Sequence, residues 1–450
     1  MRARCSCSTA AAPSATCASC GNTAWGPRPM VRRAEPVRVL VVIDNFHPLI
    51  GGAEHAALEC ARALARRGHG VDVLTMRKRP EWPDEEQLGG VRVRRFDECV
   101  PPRPLGRFLY ERANAAAARR HIDQCLAGEA YDLMLLHPIA AASGAAQSRA
   151  AERAAVVYCF HAPLGLEHLA QIADCGLGGL ADSKPSLWGR WTAARRAAQQ
   201  RAAIERADAV TCPSEYSREL LAELMPALGP KPVQVIPWGV DAERFRPPAD
   251  RAAERAQLGW ARDETVLLTV RRLVPRMGVG ELLRGFGLAA ARRPGLRLVV
   301  GGDGPLRGQL QELAKSAGGR VEFTGLIPPE DLPTYLGAAD LFVLPSLALE
   351  AFGLVTLEAL ACGTPVLATR RCASPEILAP LDERLLIPSA DATAIAEAIL
   401  GNGLAVAAEP GFRDRCRAYA IERYSWDKTA AAFEALATQL GSAKQASGGL

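Results

Sequence analysis

Nowhere in this chain do about 18 apolar residues run together, the length a helix needs to cross a bilayer. The best candidate, 132–146, is short and broken by His137 and Pro138, so no membrane-spanning helix is predicted. Charge of one sign is scarce as well. Lys and Arg number 54 against 49 Asp and Glu, and the small excess is spread along the whole chain, which is no footprint for nucleic acid. The patterns G-x-S-x-G, H-E-x-x-H and G-x-x-x-x-G-K-[ST] are missing, which removes the nucleophile elbow, the helical zinc site and the P-loop from consideration. No D-x-D occurs either. Such a carboxylate pair can hold a divalent ion on a nucleotide diphosphate. Its absence favours chemistry in which the protein itself neutralises phosphate, with no metal required.

What is present is an ordinary globular composition. The 450 residues are 49% apolar and 23% charged, enough for two or three domains with sizeable cores and incompatible with a disordered or collagen-like chain. Val37–Ile43 is a short Val-rich run, the mark of a buried parallel strand. A loop containing Gly51-Gly52, a helical pattern over 53–67 and a strand over 71–75 follow. Such strand–helix–strand units build parallel sheets covered by helices. Further strands are predicted at 91–96, 133–136, 156–159 and 209–211, with helices near 106–127, 184–206 and 215–224. After Pro237-Trp238-Gly239 a second series begins. Its strands are expected at 265–270, 296–300, 321–323, 341–344 and 365–368, separated by helices near 279–291, 305–317, 353–361 and 391–400. A last helix spans 427–440. The fold class is therefore α/β, with two Rossmann-like doubly wound domains facing a central cleft at the carboxyl ends of their strands, where ligands bind. The expected divisions are 36–240, with 425–440 packing back onto it, then 241–424 and a tail at 441–450.

Thirteen cysteines are an odd number. Nine lie singly between Cys60 and Cys416 in apolar or helical stretches, as expected of reduced, buried thiols in a cytoplasmic protein. Cys5, Cys7, Cys17 and Cys20 crowd the start, and Cys17 and Cys20 have the spacing of half a zinc site. The surrounding residues 1–29 lack periodicity and end just before Met30. A disordered leader or a start assigned too early, extending to about residue 35, is the preferred reading over a metal-binding arm. No apolar core of a secretory signal is present. Gly176, Gly178 and Ala181 match a dinucleotide pattern formally, but no strand precedes them.

The most informative stretch runs from Leu341 to Ala368. A buried strand ends at Pro345-Ser346, and after a loop a helix opens around Phe352-Gly353-Leu354. Helix N-termini expose unpaired N–H groups and partial positive charge, so they attract phosphate. Glu350 and Glu358 bracket this opening with seven residues between them. Carboxylates only accept hydrogen bonds, which suits a hydroxyl-rich ligand such as a ribose or a sugar. Gly51-Gly52, without side chains and before a helix, lets backbone approach a diphosphate. Arg272 follows a strand at the cleft, and its guanidinium can bind phosphate oxygens in a fork.

The segment EAFGLVTLEALACGTPV at 350–366 resembles the signature of retaining glycosyltransferases of the GT-B fold, family four (glycosyl transferases group 1). GGAE at 51–54, Phe160-His161-Ala162, PSEYSRE at 213–219, VIPWGVDAERF at 235–245, GGDGP at 301–305 and VEFTGL at 321–326 match in order. The resemblance covers roughly 37–440. It implies transfer of a sugar from a UDP- or GDP-linked donor to a glycan, lipid-linked or small-molecule acceptor, with retention at the anomeric carbon. The acceptor is expected on the first half and the nucleotide sugar on the second. The resemblance places His161 near the donor sugar, assigns the proton transfer to the donor phosphate rather than to this imidazole, and makes Arg272 and Glu350 the other catalytic candidates. Gly51, Gly52, Arg276, Leu326, Phe352, Gly353, Leu354 and Glu358 are the candidate donor-binding residues, with Gly325-Leu326 offering backbone to the nucleobase.

Two departures stand out. The family pattern G-R-L-x-x-x-K-G reads Arg271-Arg272-Leu273-Val274-Pro275-Arg276-Met277-Gly278 here, so the lysine cation is replaced by Met277. Either Arg271 or Arg276 supplies the second charge, and Arg276 is the favoured candidate. The family's Gly-Gly-x-Pro-Glu has Cys372 and Ala373 in place of the glycines, and Glu376 is read as a helix cap. Rival readings are a protein of this fold that binds nucleotide sugar with impaired transfer, which Met277 suggests, and a sugar-nucleotide epimerase. Residues 184–206 hold six basic residues, one acid, Trp188 and Trp191, a composition suited to peripheral contact with anionic lipid on the inner membrane face.

Overall fold

A computed structural model describes residues 36–48, 51–102, 106–172, 185–226 and 228–448. The cysteine-rich leader, the 176–181 glycine tract, Lys184 and the last two residues of the tail lie outside the described residues.

Two sheets form, with apolar runs buried on both faces at their centres and more polar, partly exposed strands at their edges. The first contains β1 (Arg38–Val42), β2 (Gly70–Arg77), β3 (Glu85–Leu88), β4 (Val91–Asp97), β5 (Leu133–Leu136), β6 (Ala155–Cys159), β7 (Ala209–Cys212) and β8 (Val233–Val235). Their order is β3-β4-β2-β1-β5-β6-β7-β8, parallel except for the antiparallel edge pair β3–β4. The second contains β9 (Thr265–Val270), β10 (Leu296–Gly301), β11 (Arg320–Gly325), β12 (Leu341–Leu344), β13 (Val366–Thr369) and β14 (Leu386–Ile387), in the order β11-β10-β9-β12-β13-β14. All its neighbours run parallel. The strand order reverses between β1 and β5 in one sheet and between β9 and β12 in the other. Crevices open at such points because the connections leave toward opposite faces.

Apart from end residues such as Arg38, the central strands β1, β5, β9 and β12 are buried, which is why they read as continuous apolar runs rather than alternating ones. Helices Gly52–Arg66 and Val279–Arg292 cover the sheets with apolar stripes that include Leu58 and Leu64 in one, and Leu282, Leu283 and Phe286 in the other. The chain passes from one lobe to the other at 236–241 and returns at 424–429. There Val240 N–H bonds to the Tyr424 carbonyl, and the Thr429 hydroxyl to that of Pro237. The last helix, Trp426–Gly448, then lies against Gly52–Arg66. Phe433, Leu436 and Leu440 are buried, each burial contributing roughly 1.5–3 kcal/mol. Glu434 accepts from Arg67 at 2.5 and 2.7 Å and sits 2.6 Å from His69. The stretch 132–146 forms β5 and the short helix Ala140–Ala145, and no described helix is long and apolar enough to cross a membrane.

Candidate active site

Both reversal points open onto one cleft of about 830 Å³. From the first lobe come residues just beyond β1 (Asp44, Asn45), the start of helix Gly52–Arg66, and His137 and His161 beyond β5 and β6. The second lobe contributes Arg271 and Arg272 beyond β9, Gly302 and Asp303 beyond β10, Leu326 beyond β11, and the segment 349–355 beyond β12. His161, Arg272, Glu350, Gly51, Gly52, Arg276, Leu326, Phe352, Gly353, Leu354 and Glu358 all line this single cavity.

Helix Leu354–Ala361 opens at the cleft. Gly353 caps it at φ +79°, a left-handed conformation that glycine adopts without strain. Among the described residues no acceptor takes the N–H of Phe352, Gly353 or Leu354, so three backbone donors at the positive end of a helix remain available. Arg272 is exposed on the same wall and its guanidinium has no hydrogen bond or ion pair among the described residues. This is the combination that receives an anion.

Glu350, in the loop before that helix, is ion-paired with buried Arg271 and accepts from the Ser346 hydroxyl at 3.1 Å. Burial pushes its carboxyl up, but Arg271, with Arg276 and Ser346 behind it, more than reverses this and holds it below the usual range. It is therefore ionised at neutral pH. Arg271 Nη2 also lies 2.6 Å from the Met277 sulfur. The Arg271 backbone is packed against the exit loop of β10 at Gly302, φ +116°, where a Cβ would sit 1.9 Å from the Arg271 carbonyl. Arg276 donates through Nη1 to the Leu349 carbonyl (3.0 Å) and through Nη2 to Glu167 of the other lobe (3.3 Å).

Glu358 lies one turn into the helix, buried, with its carboxyl raised to about 7 by burial, partly offset by Arg244 and reinforced by Glu59. His55 Nε2 of the first lobe is 3.7 Å away. Burial lowers that imidazole, so the contact is not an ion pair at neutral pH. Leu326 is 75% exposed in the cleft, an apolar surface of the kind a planar base can cover.

On the first lobe, His161 Nε2 meets His137 Nδ1 at 2.7 Å. Burial lowers His161 to about 4, and burial with repulsion from His161 takes His137 well below the ordinary value. Both rings are neutral at pH 7, one donating and the other accepting. His161 Nδ1 is buried without a partner. The Gly51 N–H is already bonded to Glu54 Oε2 at 3.1 Å, so a carboxylate of the chain itself occupies part of the helix opening expected to meet a diphosphate. Asp44 likewise accepts from the amides of Ala140 and Ala141, at 2.9 and 2.7 Å.

The PSEYSRE motif reaches across the cleft. The Ser214 and Ser217 hydroxyls donate to the Ala351 carbonyl at 2.6 and 3.2 Å. Glu376 accepts from the Glu215 and Tyr216 amides at 2.8 and 2.5 Å. It caps a helix, but one of the opposite lobe. Leu349 and Cys372 are the non-glycine residues with positive φ among those described, at +57° and +56°, and they flank this contact. His137, His55 and Glu167 join the site without any motif that marks them. The one available signal is His137 at the end of a buried strand, where it reads equally as a strand terminator.

Two parallel-sheet lobes with a phosphate-ready helix and arginine between them define the GT-B architecture. Residues 50–244 match the model of Glycosyltransferase Family 4, and 250–423 that of Glycosyl transferases group 1. A D-inositol 3-phosphate glycosyltransferase of Mycolicibacterium paratuberculosis is 30% identical over 429 residues, covering 88% of this chain and 89% of the relative. A GDP-mannose-dependent alpha-(1-6)-phosphatidylinositol monomannoside mannosyltransferase of Mycolicibacterium smegmatis is 29% identical over 427 residues, covering 91% and 100%. Among solved structures, a sucrose-phosphate synthase from Thermosynechococcus elongatus superimposes with a TM-score of 0.71 at 26% identity, covering 90% of this chain and 100% of that one. The chain belongs to the group 1 glycosyltransferases.

Proposed function

We propose that this protein is a retaining glycosyltransferase that moves a hexose from a UDP- or GDP-linked donor to a hydroxyl of a glycan, lipid-linked or small-molecule acceptor, without a metal ion. The reading rests on one observation: Arg272, the free amides of 352–354 and the Glu358 carboxylate converge in one interlobe cavity. In this reading Glu358 accepts from the ribose hydroxyls. The amides and Arg272 bind the diphosphate and stabilise the negative charge it gains as the anomeric C–O bond breaks. The departing phosphate takes the acceptor's proton. The neutral His161 stands beside the sugar without adding positive charge to a centre that is itself becoming positive. The names of the mannosyltransferase relatives favour GDP-mannose as the first donor to try.

The test is a turnover screen over UDP-, GDP- and ADP-sugars with and without EDTA, followed by NMR of the product's anomeric configuration. Transfer that survives EDTA, with an unchanged configuration, is expected. An inverted product or loss of activity with EDTA would overturn the mechanism, and interconversion of the donor sugar without an acceptor would favour an epimerase.

Peripheral membrane contact is part of the proposal. In helix Leu187–Arg206, Trp188 and Trp191 stack with centroids 4.9 Å apart and remain partly exposed beside Leu187, which is 84% exposed. Such aromatic and basic faces settle at anionic headgroups. Cosedimentation with phosphatidylglycerol vesicles, lost on Trp188→Ala/Trp191→Ala, is the expected result; equal recovery of both proteins would reject it.

A further inference from the structure

Arg271 is buried directly beside Arg272, yet its Nη1 has no hydrogen-bond partner. A buried charged donor left unmade is costly and uncommon, so the arrangement lacks an acceptor. The other terminal nitrogen, Nη2, is occupied by Glu350 and lies against the Met277 sulfur. Arg271, Arg272, Met277, Glu350 and 352–354 line the same cavity. Positions 271 and 277 thus converge on one point, with the cation arriving from 271 and only a thioether from 277. Arg276 has both terminal nitrogens committed, one to the loop carbonyl of Leu349 and one to Glu167 of the other lobe. It acts as a strut.

We infer that Arg271 is the second cation of the diphosphate site, holding Glu350 through Nη2 while Nη1 receives a phosphate oxygen. The inference rests on the donor-site reading above. It makes Glu350 a positioning residue, whose ionised carboxylate fixes the guanidinium plane so that the fork faces two ways. It also accounts for a cationic site without lysine at 277, because a second cation there would compete with Arg271 for the same carboxylate.

The test measures binding of UDP and GDP, and of the corresponding monophosphates, to the full chain by calorimetry. Arg271→Met is expected to weaken the diphosphate by ~10–100-fold while leaving the monophosphate within about twofold. Met277→Lys alone should bring no gain in affinity. The exchange Arg271→Gly/Met277→Lys, which returns one cation to the same point, should recover most of the loss. Unchanged diphosphate affinity in Arg271→Met, equal loss of mono- and diphosphate, or no recovery in the exchange would each overturn the inference. If the unmodified protein binds neither UDP nor GDP, the donor-site reading falls and this inference with it. If it binds them and only the Arg271 series fails, the donor site stands and Arg271 is excluded.

Discussion

Glu358 offers the sharpest test of the site because its effects on stability and on binding run in opposite directions. Its carboxyl is raised from an ordinary 4.5 to about 7, chiefly by burial. The folded protein therefore holds this proton more tightly than the unfolded chain does. The resulting stabilisation is full below about pH 4.5 and is lost as pH rises to about 7. At about 1.36 kcal/mol per unit, the loss above pH 7 amounts to about 3 kcal/mol. Glu358→Gln removes the titration while keeping the shape. It should melt close to the parent at pH 4.5 and roughly 5–10 °C higher at pH 8, read by thermal denaturation at both values. Nucleoside diphosphate affinity at pH 8 should fall by ~10–100-fold, since the amide replaces a charged acceptor. In the parent, binding should release a proton near pH 6, seen as a buffer-dependent heat in calorimetry. A melting difference that is the same at both pH values, or undiminished nucleotide affinity in the variant, would contradict this account of Glu358.

Other perturbations separate chemistry from support. Arg272→Ala removes an exposed side chain with no described partner, so thermal stability should stay within about 0.5 kcal/mol while turnover falls by ~100–1000-fold; retained turnover would remove Arg272 from the diphosphate site. Cys372→Gly relieves a left-handed residue at φ +56° and should raise stability by about 1 kcal/mol in urea melts; a loss would mean that the thiol's packing outweighs the backbone strain. Glu376→Ala leaves two amides of helix Glu215–Leu224 without their acceptor and should cost about 1–2 kcal/mol, again read by urea melts; an unchanged midpoint would show that water replaces the carboxylate without loss.

The legible parts of the fold are those in which one physical effect dominates. Strands 133–136, 265–270 and 341–344 coincide with their expected limits because full burial demands an unbroken apolar run. Helix Glu215–Leu224 also coincides, since Ser214 is an N-cap whose hydroxyl takes the Ser217 amide. Edge strand β3, with the sequence EEQL, lies outside the predicted elements. Its pairing with β4 joins backbone to backbone and Glu85 and Glu86 to Arg94 and Arg95, and no apolar alternation announces it. The short helices Ala140–Ala145 and Leu332–Ala338 escape prediction for a similar reason: they are too short to show a period. At the site, the motif residues can be placed at one cleft because each follows a strand's carboxyl end. Pairings that depend on three-dimensional proximity leave no such trace. His137 with His161, Arg271 with Met277 and Glu376 with the opposite lobe's helix join residues whose separation carries no periodic signal.

The loop around Ala351 borrows its hydrogen bonds from across the cleft, through Ser214, Ser217 and the Arg276–Glu167 link. Any swing that parts the halves must strip that carbonyl of both hydroxyl donors and break the arginine's anchorage. Widening the gap and slackening the loop are then one event.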